Sequence, residues 1–191
     1  MSQYPEELAP SPTLYSNGHN ISPDAKIGAG TIIQAGAVIE RGCKVGSFCR
    51  IGYNAVLREG TMIGDHSVFG SLSASEGHNK IGNHVTIHSQ CHITEGVEIE
   101  DWVFIAPFFC GANTRKIVHG RNFQLVKTGY KIKYGARIGI GVLVAPGIVI
   151  GREALVDMGS LVTKDVPDYS HVRGFPAKVI RLVPEDEHLR F

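Results

Sequence analysis

The sequence of 191 residues repeats an aliphatic side chain every six residues, and this period constrains the fold more than any other feature of the chain. An amphipathic helix would repeat near 3.6 residues and a half-buried strand at two, whereas a six-residue period is typical of a solenoid of short strands and tight corners. The aliphatic positions form three runs: Ile21, Ile27, Ile33, Ile39, Val45, Ile51, Leu57 and Ile63; then Ile81, Ile87, Ile93, Ile99 and Ile105; then Ile132, Ile138, Val144, Ile150, Val156 and Val162. Each hexapeptide is therefore expected to form one side of a coil.

A second position of the period is also restricted. Four residues after each aliphatic stands a small or modest residue, such as Ala25, Thr31, Cys43 or Ala55. We expect both positions to point inward, because three sides would enclose a narrow prism filled by stacked aliphatic side chains. The pattern resembles the hexapeptide-repeat family, and that resemblance implies an all-β fold, a left-handed parallel β-helix of about seven 18-residue coils.

Coil counting predicts three parts of the chain. Residues 1–20 lack the period and contain three prolines, so we expect an extended N-terminal arm there. The β-helix is expected over residues 21–167. Residues 168–191 are expected to form a C-terminal segment with a short helix that begins at Ala177.

Two stretches interrupt the repeat. Residues 71–80 break the pattern but keep its phase, which predicts a deformed side without a net insertion. Ile105 and Ile132 are 27 residues apart where six are expected, which predicts an insertion of 21 residues. We therefore expect an excursion loop over residues 111–131.

Composition excludes several classes of protein. A net charge of +1 gives no general electrostatic basis for binding nucleic acid. The sequence shows neither a secretory signal nor an apolar run of about 18 residues, so we expect a cytoplasmic protein without a membrane span. Cys43, Cys49 and Cys91 occupy the small inward position as compact apolar side chains, and with no CxxC element we expect four free thiols and no metal site.

The C-terminal part of the repeat carries the strongest functional signal. The stretches 138–147, 158–167 and 174–181 resemble the end of hexapeptide acyltransferases that use acetyl-coenzyme A. The stretch 85–113 is similar to the subset that acetylates amino groups of nucleotide-linked sugars in cell-surface polysaccharide biosynthesis. The resemblance implies acetyl-CoA as the co-substrate, and a homotrimer with the cofactor in the cleft between adjacent prisms.

Five residues are candidates for holding the cofactor. Gly141 and Gly159 would let the thin pantetheine arm approach the wall of the β-helix closely. Lys164, Lys178 and Arg181 would suit the pyrophosphate and the 3′-phosphate, because lysine offers a mobile point charge and arginine a planar fork. The motif context, Gly-Phe-Pro-Ala-Lys, points most directly to Lys178.

The acyl-transfer step needs a nucleophile whose proton is accepted by a base. His88 is the candidate base and Glu100 the candidate carboxylate that orients an amine. In related acyltransferases a histidine stands two residues before the cysteine of this coil, whereas here Ser89 precedes Cys91 at that place. Two mechanisms therefore stay open: His88 acts from one residue earlier, or a sugar amine reacts without a strong base.

Three further residues are candidates for binding the sugar. His92 faces outward on the strand after His88, and Asn113 and His119 belong to the expected excursion loop. Loops of this kind often cover the active site of a neighbouring subunit in the family that the sequence resembles. Binding and catalytic residues are often carried on such loops.

The histidines also permit other interpretations. His66 and His84 are 18 residues apart with Trp102 next in the column, which favours ring stacking at a corner. A γ-class carbonic anhydrase would hold zinc through three histidines, here His84, His88 and His92, but four-residue steps along a six-residue coil send these side chains in different directions. Sugar O-acetylation and a non-catalytic β-helix scaffold are the remaining alternatives to the expected N-acetyltransferase.

Overall fold

A computed structural model describes residues 14–15 and 20–190, and its regular elements are short strands stacked in three sheets. Each strand is followed by a strand of the next sheet, and parallel partners lie one coil apart. The three sheets are therefore the faces of a triangular prism. The all-β, left-handed parallel β-helix is confirmed.

The strands of each face stack in a fixed order. Face A contains β1 (Leu14–Tyr15), β4 (Ile32–Ile33), β7 (Arg50–Ile51), β10 (Val68–Phe69), β13 (Thr86–Ile87), β16 (Phe104–Ile105), β19 (Arg137–Ile138), β22 (Leu155–Val156), β24 (Ser170–Gly174) and β25 (Ala177–Leu182). Face B contains β2 (Asn20–Ile21), β5 (Val38–Ile39), β8 (Val56–Leu57), β11 (Ala74–Ser75), β14 (His92–Ile93), β17 (Cys110–Gly111), β20 (Leu143–Val144) and β23 (Leu161–Val162). Face C contains β3 (Lys26–Ile27), β6 (Lys44–Val45), β9 (Met62–Ile63), β12 (Lys80–Ile81), β15 (Glu98–Ile99), β18 (Lys131–Ile132) and β21 (Val149–Ile150).

The core of the prism is a column of the residues that the period places inward. Ile87 is fully buried and stands in register between Phe69 and Ile105 of the adjacent coils. The small positions are buried as well, for example Ala37 and Ala136. Both inward positions are confirmed, and each large aliphatic side chain removed from water contributes roughly 1.5–3 kcal/mol.

The corners of the prism turn through residues with positive φ. Where faces C and A meet, His66, His84 and Trp102 adopt φ of 55°, 54° and 61°. The rings of His66 and His84 stack with centroids 5.0 Å apart, and those of His84 and Trp102 with centroids 4.1 Å apart. These rings cover one another along the corner, as the column spacing predicts.

The stretch 71–80 keeps its phase, as expected, but it is not deformed. β11 and β12 pair in register on faces B and C, with Ser75 in an aliphatic position and Asn79 in a small one. Asn79 Nδ2 donates to Ser75 Oγ at 2.8 Å, and Asn79 Oδ1 accepts from the Val97 N–H at 2.7 Å. Hydrogen-bonded polar side chains thus replace the aliphatic core residues of this coil, and the strands keep the same register as in the other coils.

The excursion loop is shorter than the sequence predicted. Gly111 ends β17 on face B, and Ile132 pairs with Ile99 on face C. Gly111 and Ile132 are 21 residues apart, whereas consecutive inward residues of the repeat are six apart, so fifteen residues are inserted. Gly111 was missed because it lacks the aliphatic side chain that marks its position. Its strand adds one side, and together with β1 and β24 this gives a β-helix of about eight turns.

The N-terminal arm is described only in part. β1 pairs in parallel with β4, so face A already begins before Ile21. The rest of the predicted arm, residues 1–13 and 16–19, lies outside the described residues.

The C-terminal helix predicted from Ala177 is wrong. Ala177–Leu182 is a strand, β25, and it pairs antiparallel with β24 after a turn at Phe175 and Pro176. The β-branched Val179 and Ile180 favour a strand, and β24 offers the free edge that β25 covers. One 3-10 turn follows at Glu185–Glu187. Within residues 14–15 and 20–190, no helix has the length and apolar character needed to cross a bilayer.

Candidate functional site

The predicted catalytic and sugar-binding residues are distributed over different faces. His88 follows β13 on face A, His92 lies on β14 of face B, and Glu100 follows β15 on face C. All three side chains point away from the core, because each is next in sequence to a buried inward residue: Ile87, Ile93 or Ile99. A single chain therefore does not bring His88 and Glu100 together.

His88 is exposed beside an aromatic side chain. Its ring meets the edge of Phe104, with centroids 5.2 Å apart and planes inclined by 67°. His84 lies in the stack of rings with Trp102. The corner between faces A and B is called corner AB below, and His92 lies on the other side of it from His88. The directions of the three histidines do not converge on one point.

Glu100 is engaged in contacts within face C. Burial raises its pKa, but hydrogen bonds from Lys131 Nζ and from the Tyr134 N–H outweigh this effect, and the net pKa lies below its usual range. The Lys131 contact is 2.8 Å and the Tyr134 contact is 2.9 Å. The carboxylate lines a surface pocket of about 380 Å³ together with Arg152, which stacks on Tyr134. Glu100 thus binds the residues that lead out of the excursion loop and along β18 of face C.

His92 belongs to a row of polar side chains on face B. Its Nε2 lies 3.9 Å from Glu76 Oε1, and Arg58 Nη1 donates to Glu76 Oε2 at 2.8 Å. Cys110 is in register with His92 on the adjacent strand, and such neighbours on one face have Cβ atoms about 4.5–5.5 Å apart. Face B therefore presents an imidazole between a carboxylate and a thiol.

Asn113 lies at the end of the same face, where the excursion loop leaves the prism. Its Nδ2 donates to the Glu95 carbonyl at 3.2 Å, and its own carbonyl accepts from the Thr128 N–H at 2.7 Å. Lys127 forms an ion pair with Glu95, and the hydrogen bond that it donates lowers the pKa of the Glu95 carboxyl. These contacts fasten the base of the loop beside the turn at Glu95, which joins face B to face C.

His119 lies farther out in the loop. It is exposed, and its carbonyl accepts a hydrogen bond from Arg121 at 3.1 Å. Within the described part of the chain, the hydrogen bonds and ion pairs of His119 do not connect it to His92 or Asn113.

Gly141 and Gly159 both stand at corner AB. They have φ of 68° and 66°, and a Cβ added to either would meet nothing within 4 Å. Their amides are hydrogen-bonded to the preceding coil at the same corner: Gly141 N–H donates to Pro107 O, and Gly159 N–H donates to Ile140 O. The backbone at this corner is open to a ligand that lies along it.

Exposed apolar side chains accompany these glycines. Following the corner from the coil above His88 and His92 to the end of the prism, they are Phe108, Ile140, Met158 and Phe175. Met158 and Phe175 are the most exposed, at 70% and 71%. This strip was not predicted from the sequence, because only Ile140 and Met158 among its members are separated by the 18 residues of one coil.

The C-terminal hairpin continues the strip. Gly174 N–H donates to Ser160 Oγ at 3.2 Å, which holds the hairpin turn beside Gly159. Lys178 is exposed on β25 opposite Arg173. The open corner therefore ends near two cationic side chains, of which Arg173 also pairs with Asp157.

Two predicted phosphate ligands lie elsewhere. Lys164 follows β23 on face B, and the chain then bridges to face C through Val166 and Ile150, so Lys164 lies at the corner between faces B and C. Arg181 is near Glu187, with 3.6 Å between Nη2 and the carboxylate, and it donates to the Leu182 carbonyl. Of the three cations, Lys178 has the best position beside corner AB.

Cys110 provides a chemical probe of this region. It is exposed, whereas Cys43, Cys49 and Cys91 are buried. Partial burial raises the pKa of the Cys110 thiol, and the thiolate is the reactive form. We expect iodoacetamide to label Cys110 alone in the folded protein, at a rate that rises with pH beyond the usual thiol range. Peptide mass spectrometry checks this, and labelling of a second cysteine before unfolding would contradict the burial pattern.

Two family models match the chain. The model described as the GMPPB C-terminal domain matches residues 16–117, just over half of the chain, and the model described as the hexapeptide repeat of succinyl-transferase matches residues 135–164. The chain belongs to the hexapeptide-repeat β-helix family. The resemblance drawn from the six-residue period is confirmed.

Several relatives of this hexapeptide-repeat protein are acetyltransferases by name. Serine acetyltransferase 2 of Arabidopsis thaliana is 38% identical over 112 residues, which are 54% of this chain and 34% of that protein. Galactoside O-acetyltransferase of Escherichia coli (strain K12) is 36% identical over 102 residues, 50% of this chain and 49% of that protein. The chain spans at most about half the length of the curated relatives described here.

A solved structure shows the same fold. The UDP-N-acetylglucosamine acyltransferase of Bacteroides fragilis 9343 superposes with a TM-score of 0.66 at 19% sequence identity. The superposition covers 88% of this chain and 74% of that one. At this identity the similarity establishes the β-helix architecture.

Proposed function

We propose that the chain is an acetyl-CoA-dependent acetyltransferase that acts on a sugar, most specifically on the amino group of a nucleotide-linked amino sugar. The observation that carries this proposal is the open path along corner AB. It runs from the coil that carries His88 and His92, past Gly141 and Gly159 and the exposed apolar side chains beside them, to the hairpin that carries Lys178. An apolar path that ends in cations matches a ligand with a neutral arm and a phosphorylated end.

The length of the path supports coenzyme A. His88 and Arg173 occupy the same outward position of face A, four coil steps apart. At about 4.8 Å a step, the distance is about 19 Å. A pantetheine arm is about as long as four extended residues, roughly 14 Å, and the phosphates follow beyond its end. The thioester would then lie near His88 and His92, and the phosphates near Lys178.

The curated relatives support acetyl transfer and differ in the acceptor. The similarity to a galactoside O-acetyltransferase favours a sugar, and sugar O-acetylation is therefore the second candidate function. The stretch 85–113, similar to enzymes that acetylate nucleotide-linked amino sugars, favours the amine. An amine also needs less help from a base, because its neutral form is already a nucleophile.

A homotrimer forms part of the proposal. Glu100 and Lys164 lie on sides of the prism away from corner AB. Either one could serve a site at this corner only from a neighbouring subunit. We therefore propose that adjacent prisms pack with the coenzyme A path between them, and that the excursion loop with Asn113 and His119 closes the acceptor end.

The proposed function is tested by release of coenzyme A thiol. Purified protein is incubated with acetyl-CoA and a panel that contains nucleotide-linked amino sugars, their hydroxyl counterparts, free galactosides and serine. Thiol release that depends on an amino-sugar nucleotide supports the proposal. Release only with hydroxyl acceptors replaces it by O-acetylation, and no release with any acceptor, together with no binding of coenzyme A, favours a scaffold.

Lys178→Ala is expected to weaken binding of coenzyme A about tenfold while changing the affinity for dephospho-coenzyme A much less. The lysine would contact the 3′-phosphate, and a charge-assisted hydrogen bond contributes about 1.5–3 kcal/mol. Isothermal titration calorimetry compares the two ligands, with Lys44→Ala, an exposed lysine of face C, as the control. Equal losses for both ligands would contradict the assignment of Lys178 to the 3′-phosphate.

A further inference from the structure

Three outward side chains on face B form a connected row near the acceptor end of the proposed path. Arg58 Nη1 donates to Glu76 Oε2 at 2.8 Å, and the other carboxylate oxygen of Glu76 lies 3.9 Å from His92 Nε2. The Glu76 side chain is 28% exposed and that of His92 is 44% exposed. Arg58 thus holds the carboxylate in place, and the imidazole next to it stays accessible to a ligand.

We propose that His92 is the residue that accepts the proton of the attacking group, and that Glu76 is its positioning residue. This inference rests on the proposed acetyltransferase function and assigns the base that the sequence analysis placed at His88. A base works when a neighbouring group fixes its ring and orients the nitrogen that faces the substrate. Glu76 is placed to do this for His92, because its carboxylate lies 3.9 Å from Nε2 and would attract the imidazolium that forms when the ring takes a proton.

The surroundings of His92 favour it over His88. His92 lies on face B between corner AB and the corner where Asn113 fastens the base of the excursion loop through its amide and carbonyl. His88 lies on face A, where its described ring contact is the edge of Phe104. A substrate that extends from corner AB toward the base of the excursion loop would therefore pass over His92.

The charged and titratable groups around His92 come from the adjacent coils. Glu76 follows β11 in the coil below, with Arg58 beyond it, and Cys110 lies on β17 in the coil above. Farther along the coil of His92, Glu95 is paired with Lys127. Glu76 is thus the carboxylate in contact with His92, while Glu95 is neutralised by its own partner.

The proposed step balances as a direct transfer. The neutral amine nitrogen of the acceptor attacks the thioester carbonyl carbon of acetyl-CoA, forming the new C–N bond. The C–S bond then breaks, and coenzyme A leaves as a thiolate. His92 takes the proton that the nitrogen loses and returns it to the thiolate sulfur, so the products are the N-acetyl sugar and coenzyme A with a free thiol.

The test measures kcat and KM for four single variants under the thiol-release assay. His92→Ala is expected to lower kcat about a hundredfold with little change in KM for acetyl-CoA, and added imidazole is expected to restore part of the loss. Glu76→Gln is expected to lower kcat about tenfold. His88→Ala is expected to lower kcat much less than His92→Ala does. The control Glu59→Gln is expected to stay near the parent, because the Glu59 carboxylate pairs with Arg41 at the same 2.8 Å on a coil farther from the proposed site.

The outcomes separate this inference from the proposed function. A parent protein without any thiol release means that the acetyltransferase proposal itself fails. An active parent whose His92→Ala variant keeps kcat within threefold, or whose His88→Ala variant shows the large loss and the imidazole rescue, overturns the assignment of His92. Loss of activity in Glu76→Gln with a raised KM and unchanged kcat would overturn the positioning role. His92→Gln, which keeps a polar side chain of similar size, repeats the measurement if the alanine variant is poorly folded.

Discussion

Ile99→Lys is expected to give insoluble or unfolded protein. Ile99 is 2% exposed on the prism axis, and it stands in register between Ile81 and Ile132. The substitution removes the burial of an aliphatic side chain and leaves an ammonium group without a partner, at a cost of several kcal/mol. Since a domain is stable by only about 5–15 kcal/mol, a loss of this size is expected to be visible as a collapse of soluble yield.

Two controls define this expectation. Ile99→Val keeps the inward aliphatic and is expected to cost about 1 kcal/mol. Glu98→Gln changes the neighbouring outward residue and is expected to cost less than about 1 kcal/mol, because its contact with Lys131 is exposed. Thermal unfolding followed by circular dichroism measures all three variants. A soluble Ile99→Lys protein with the parent melting temperature would show that residue 99 does not point inward.

The fold was predictable because one geometric rule repeats along the whole chain. Every six residues the backbone presents the same inward position, so an error at one coil is corrected by its neighbours. Ser75 shows how the rule survives a polar side chain: its hydroxyl pairs with Asn79 and Thr61, and the strands stay in register. The predictions that were wrong are the deformation of residues 71–80, the number of inserted residues with the number of coils that follows from it, and the form of the C-terminal segment.

The errors at the insertion and at the C-terminal segment have different origins. Gly111 ends a strand whose partner is Val144, on a coil far along the sequence, and a glycine in an aliphatic position carries no hydrophobic signal. Ala177 begins the second strand of a local hairpin with β24, and a strand that closes a free edge needs no six-residue period. The period therefore reports neither segment.

The candidate site was predictable only in its parts. The glycines at residues 141 and 159 and the motif with Lys178 are local sequence features, and the structure places all three along corner AB or at its end. Which face each outward side chain occupies follows from the coil position, which separates His88 from His92. The contact between Glu76 and His92 spans two coils and depends on side-chain direction, so no local motif contains it.

Gly111→Val is expected to be strongly destabilising. A Cβ at Gly111 would lie 2.0 Å from Cε1 and 2.3 Å from Cζ of the Tyr130 ring. Tyr130 is 1% exposed and packs edge-on against Phe109, with centroids 5.7 Å apart, so the ring has no room to withdraw. The ring fills the space that an aliphatic side chain takes in other coils. Overpacking of this kind costs about 3 kcal/mol.

The complementarity between Gly111 and Tyr130 is tested by a double-mutant cycle. Tyr130→Ala alone is expected to cost about 3–5 kcal/mol, because it leaves a cavity the size of the ring. Combining it with Gly111→Val puts a branched side chain into that cavity, so the double variant is expected to be more stable than the sum of the two losses by about 2 kcal/mol. Tyr130→Phe keeps the ring volume and is the control, expected within about 1 kcal/mol of the parent. Urea unfolding at equilibrium measures the four variants, and additive losses would mean that Tyr130 does not occupy the position left by Gly111.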